Sequence, residues 1–131
     1  MPKKVKTSTP PNTPTPIGPY SHIAMVGECI TIGGVAGVNP ETGQLSGEDV
    51  STQNIQILKS FDVMLDSVGS DLDHIVHINI FLKEMSDFER MNAAYIAVMG
   101  ERRPARTVIG VRELPKPGFL VTMNLTAVVA D

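Results

Sequence analysis

The run Phe119 to Val129 places Phe119, Val121, Met123, Leu125 and Ala127 on one side of an extended strand, and Leu120, Thr122, Asn124, Thr126 and Val128 on the other. Successive side chains of a strand point to opposite faces, so one face is apolar and its reverse is mixed. Only two other segments carry helical periodicity, and two helices cover one face of a sheet of about five strands. The second face is left for water or for another chain. Its composition, too apolar for a solvated surface and too polar for a dry core, is that of a subunit interface or a cleft between subunits. An oligomer is expected on this ground; the alternative is an antiparallel sheet with one wet face.

The remaining elements follow from period and punctuation. Residues 22 to 26 and 28 to 35 read as two strands joined at Gly27, with Ile30 and Ile32 on one face, followed by a turn at Asn39-Pro40-Glu41-Thr42-Gly43. From Asp49 to Val68 the spacing of Ile55, Leu58, Phe61, Leu65 and Val68 predicts a helix, capped by Asp49 or Ser51 and stopped at Gly69. Ile75 to Leu82 alternates, with Val76, Ile78, Ile80 and Leu82 opposed to His77 and Asn79. A second helix over Asp87 to Val98 carries Phe88, Met91, Tyr95 and Val98, and a strand over Arg106 to Val111 precedes the turn-rich Leu114 to Gly118. The order is β-β-α-β-α-β-β, an α/β (α+β) arrangement.

Six of the ten prolines fall in the first 19 residues among Thr, Ser and Asn. Such a stretch neither continues a helix nor joins a central strand, so residues 1–16 are expected to be a flexible leader and 17–131 one domain. A chain of 131 residues is large enough to bury a core without staples. The single cysteine, Cys29, excludes an internal disulfide and a Cys-based zinc site; it reads as a small buried apolar residue. With no apolar run long enough to cross a bilayer and no export signal, a cytoplasmic protein is expected.

The net charge of −3, the absence of Trp and an aromatic content of 5% argue against nucleic-acid binding. His22, His74 and His77 are not spaced as metal ligands, and no metal site is expected. His77 reads as lining an interface or pore. The basic residues Arg102, Arg103 and Arg106 cluster instead before an apolar run. Arg106, two residues after Pro104, sets a fork of donors where a strand begins, which suits a carboxylate; the alternative that this segment alone leaves open is a solvated Arg at a strand end. Gly33-Gly34 inside a strand marks a bulge or a close approach, by a ligand or a neighbouring chain.

Several segments together carry a resemblance. They are Ile17-Gly18-Pro19-Tyr20-Ser21; Asn39-Pro40-Glu41-Thr42-Gly43; Phe81-Leu82-Lys83-Glu84-Met85-Ser86-Asp87-Phe88; Met91-Asn92-Ala93-Ala94-Tyr95; Pro104-Ala105-Arg106-Thr107; and Leu114-Pro115-Lys116. In this order the chain resembles the RidA/YjgF family of imine/enamine deaminases, over nearly all of residues 16 to 130; the family also carries endoribonuclease L-PSP and translation-inhibitor labels. The resemblance implies a chorismate-mutase-like fold, a mixed sheet of about five to six strands with two helices on one face, assembled as a homotrimer with clefts between subunits. It implies that Arg106 grips the substrate carboxylate, that Tyr20 and Asn92 line the cleft, and that Gly33 and Gly34 form the substrate-binding strand segment. Backbone groups near Gly34 and Arg106 or Thr107 would hold the imine and a water. The implied reaction converts a 2-imino acid and water to a 2-keto acid and ammonia, without cofactor.

Two departures bear on that activity. Where deaminating members have a Glu-Ile-Glu-like alternation, this chain has Thr122-Met123-Asn124, and Gly33 stands where the family has Ser. A hydroxyl at Thr122 orients a water but is no general base near neutral pH. Three accounts therefore stand: a deaminase with an altered site using Arg106, Tyr20, Thr107 and Thr122; a non-catalytic binder of small carboxylates or 2-keto acids; and an RNA-acting protein.

Overall fold

The computed structural model describes residues 4–131. The strands are β1 (Lys6–Ser8), β2 (Ile23–Val26), β3 (Cys29–Ala36), β4 (Ile75–Leu82), β5 (Ala105–Gly110) and β6 (Val121–Val128); the helices are α1 (Val50–Ser67) and α2 (Phe88–Met99). They form one mixed sheet in the order β1-β2-β3-β6-β4-β5. Every pairing is antiparallel except β4 with β5, which run parallel because α2 carries the chain back between them. The expected α+β fold, with a six-stranded sheet and two helices, is the one observed.

Strand β6 lies centrally, and its alternation holds: Val121, Met123, Leu125 and Ala127 are buried while Thr122, Asn124, Thr126 and Val128 are more open. Against its buried side pack Ile30, Ile32, Ile78, Ile80 and Leu82 from the sheet, Phe61 and Leu65 from α1, and Met91 and Tyr95 from α2. Both helices thus share one face. The other face carries Thr31, His77, Asn79, Thr107, Ile109, Thr122 and Asn124, and no described element covers it. There Asn79 Nδ2 donates to Asn124 Oδ1 across the β4–β6 register at 2.8 Å.

Asp49 caps α1 by accepting from the Thr52 backbone N–H at 2.8 Å. At the other end Gly69, at φ +77, supplies the left-handed turn, and the Ser70 N–H returns to the Leu65 carbonyl at 2.9 Å. The buried stripe differs from the expected one. Ile55 is only partly buried, and Ile57 and Met64 complete the core face beside Leu58, Phe61 and Leu65.

That face also buries Gln53, which periodicity of apolar residues does not register. Gln53 Nε2 donates to the carbonyls of Gly47 and Gly118 at 3.0 and 2.9 Å, and its Oε1 accepts from the Leu120 N–H at 2.9 Å. One side chain therefore ties two loops to α1, leaving its own polar atoms satisfied.

Three expectations are corrected. Residues 6–8 of the expected leader form β1, paired with β2 at the sheet edge, where Pro-rich flanks are tolerated because an edge strand needs hydrogen bonds on one side only. Residues 1–3 lie outside the described residues. Second, Val76 is exposed at 49%: a register shift between Ile75 and His77 makes a bulge, so Ile75, not Val76, joins Ile78 in the core. Third, Cys29 is exposed, since β3 spends its inward positions on Ile30 and Ile32.

Candidate functional site

The cluster of three arginines is resolved by its partners. Arg102 pairs with Asp73 at 2.7 Å, and Arg103 Nη1 donates to the carbonyls of Gly100 and Arg102 at the end of α2, at 2.6 and 2.8 Å. Arg106 meets no carboxylate among the described residues. Its position opposite Ile78 in the parallel β4–β5 register turns it to the helix side of the sheet. There its guanidinium carbon lies 4.8 Å from the centre of the Tyr95 ring, with Nη1 4.0 Å from Met91 Sδ. The ring face attracts the cation without using its in-plane donors, and among the described residues those donors meet only the weak acceptor Met91 Sδ.

Around Arg106 a cleft of about 470 Å³ is lined by Glu89, Asn92, Tyr95, Ile96, Arg103 and Pro104. The Tyr95 hydroxyl and Asn92 Oδ1 are buried with no partner among the described residues. Burial pushes the Tyr95 phenol up, and the charges of Arg106 and Arg103 pull it partly back, so it remains a hydroxyl donor at neutral pH. Asn92 follows Met91 on α2, and the helix brings both to the edge strand that carries Arg106.

The other expected residues gather elsewhere. A second cavity of about 380 Å³ is lined by Tyr20, Gly33, Gly34 and Thr122, together with residues of the leader and of the loop before β6. The expected bulge at Gly33-Gly34 is present as a register shift between Ile32 and Val35. Thr122 stands on the open face, opposite Phe81 and Ala36. Tyr20 is 42% exposed, and its hydroxyl accepts from the Ile17 N–H at 3.3 Å.

His22 belongs to this cavity, a place that its sequence context did not signal. It is 3% exposed and ties four segments together. Its backbone N–H donates to Thr9 Oγ1 at 3.1 Å, its carbonyl accepts from the Gly33 N–H at 3.0 Å, and its ring meets Tyr20 edge-on at 5.9 Å. Ring Nε2 donates to the Pro14 carbonyl, since a carbonyl only accepts. With the β1–β2 pairing, that hub holds the leader against the sheet.

Thr107 joins neither group. On β5 it points opposite to Arg106, onto the open face, where its hydroxyl is 3.0 Å from His77 Nε2. Arg106 and Thr122 are likewise separated by the sheet itself. Their strands are two positions apart, about 10 Å, and the side chains leave from opposite faces. In one copy of the chain the expected residues thus fall into two groups that do not meet.

A mixed six-stranded sheet with both helices on one side and cavities at the bulged strand and at the edge strand defines an α+β protein of the YjgF type. The chain belongs to the RidA/YjgF family: the family model described as Endoribonuclease L-PSP matches residues 10–129. Among curated relatives it is 36% identical to a RutC family protein of Pyrococcus abyssi, over 87% of this chain and 89% of that one. It is 30% identical to a 2-iminobutanoate/2-iminopropanoate deaminase of Dermatophagoides farinae, over 88% of each. The solved structure of the YjgF gene product of E. coli superposes with a TM-score of 0.88 at 33% identity, covering 94% of this chain and 98% of that one.

Proposed function

We propose that the protein hydrolyses 2-imino acids, and the enamines that tautomerise to them, to 2-keto acids and ammonia, in clefts shared by two subunits of a homotrimer. The observation that carries this reading is the division of the site: an Arg106 without a carboxylate partner on the helix side, and Tyr20, Gly33, Gly34 and Thr122 on the open side. Neither half suffices, and a second copy brings the missing one.

A 2-iminium carbon is already electrophilic, so the protein needs chiefly to hold and orient. Arg106 binds the carboxylate through two parallel hydrogen bonds, with Asn92 and Tyr95 beside it. Across the cleft, backbone groups at Gly33 and Gly34 approach the reacting carbon, and the Thr122 hydroxyl orients a water toward it. Water adds to carbon, a proton passes to nitrogen, and the C–N bond breaks to release ammonia. No nucleic acid enters this reading: the chain is acidic, and Arg102 and Arg103 are already engaged.

The second reading, a binder of small carboxylates or 2-keto acids, is favoured by Thr122, since no carboxylate among the described residues lines the cavity around it. Ammonia release from freshly generated 2-iminopropionate or 2-iminobutyrate separates the two. Acceleration over buffer that disappears in Arg106→Ala supports the deaminase, and Thr122→Glu then raises the rate by about 10²–10⁴ if a base was lost there. Absence of acceleration, with keto-acid binding retained, leaves the binder.

A further inference from the structure

Among the described residues, none that lines the cavity at Gly33 and Gly34 is charged. Its wall is Ile17, Val35, Val38, Pro115 and Phe119, and its polar edge consists of hydroxyls and the His22 ring. Neither glycine is demanded by the fold. Both have ordinary φ, and a Cβ built on either meets no heavy atom within 4 Å. Their missing side chains leave space in the cavity, and about 380 Å³ lies in the range of pockets that enclose drug-sized ligands. A three-carbon acid leaves most of it empty.

Resting on the placement of the substrate carboxylate at Arg106 of a neighbouring copy, we infer that this cavity is the side-chain subsite, selecting 2-imino and 2-keto acids with a large uncharged apolar side chain, branched or aromatic. A methyl group forgoes the contacts that Ile17, Val38 and Phe119 offer. A second carboxylate enters a wall with no counter-charge, and burying an unpaired charge is far costlier than burying hydrocarbon. The leader completes this wall, because His22 fixes Pro14 and thereby the path to Ile17.

Calorimetric titration of the purified protein with pyruvate, 4-methyl-2-oxopentanoate, phenylpyruvate and 2-oxoglutarate tests the subsite without requiring catalysis. The two apolar acids are expected to bind at least about tenfold tighter than pyruvate, and 2-oxoglutarate no tighter than pyruvate. Ile17→Glu, at a residue 47% exposed and therefore harmless to folding, should erase that advantage. Equal affinity for all four acids, a preference for pyruvate or 2-oxoglutarate, or no binding at all overturns the subsite. Ammonia release from the imines of leucine and alanine reads the other question. Selective binding of apolar keto acids without hydrolysis of either imine keeps the subsite and removes the deaminase; hydrolysis that prefers the alanine imine keeps the deaminase and removes the subsite.

Discussion

The role proposed for Arg106 rests on what its neighbours leave undone. Arg102 and Arg103 spend their donors on Asp73 and on helix-end carbonyls, and Arg106 alone of the three rests on an aromatic face, its donors meeting only Met91 Sδ among the described residues. Glycines sort themselves in the same way. A Cβ at Gly37 would lie 2.5 Å from the Gln53 Cα, whereas one at Gly33 or Gly34 meets nothing. Gly37→Ala therefore pushes on the residue that ties Gly118 and Leu120 to α1, and is expected to destabilise by about 1–3 kcal/mol. Gly33→Ala should stay within about 0.5 kcal/mol. Urea melts of both variants check the contrast, and equal stabilities would contradict it.

Between α1 and β4 the chain makes one 3₁₀ turn, Leu72–His74, held by a small electrostatic device. Asp71 Oδ1 accepts from the Asp73 N–H at 3.0 Å and from His74 Nδ1 at 2.6 Å. That bond, with the charge of His74, holds the Asp71 carboxyl below its ordinary value; the same bond raises the His74 imidazole. A raised His stabilises the fold below its unfolded value, and this is lost as pH rises through the folded one. A lowered Asp stabilises above its unfolded value, and this is lost as pH falls through the folded one. The pair therefore contributes most between about pH 4 and pH 6.5. The Tm difference between the protein and His74→Ala is expected to be larger near pH 5.5 than near pH 8.5; a pH-independent difference would show that the turn stands without the ion pair.

For the molecule as a whole, the open face and the proposed division of the site lead to the same prediction. Light scattering is expected to give three times 14.1 kDa. Ile109, 46% exposed on that face, should tolerate Asp as a monomer while losing assembly and activity together. A complementation experiment tests the division directly. Arg106→Ala and Gly34→Phe each destroy one half-site, and random trimers formed from an equal mixture regain about a quarter of the clefts. Two inactive variants that remain inactive when mixed would place both halves in one subunit and end the shared-cleft reading.

What the chain determined locally, it determined well. Period-two alternation in 121–128 and the Asp49 and Gly69 signals around α1 needed only neighbouring residues, because side-chain facing and capping are set within a turn or two of backbone. The resemblance of the Pro-Ala-Arg-Thr and Gly-Pro-Tyr-Ser segments pointed to Arg106 and Tyr20 in the same local way. The rest depended on partners far along the chain. Pairing of Lys6–Ser8 with β2 made a strand of a Pro-rich leader, the mismatch between β4 and β6 turned Val76 outward, and the burial of Gln53 depended on the carbonyl of Gly118 in a distant loop. Above all, only the sheet's pairing order decided that Arg106 and Thr122 leave from opposite faces, since a side chain's direction relative to a remote strand is a property of register, which no short stretch of sequence contains.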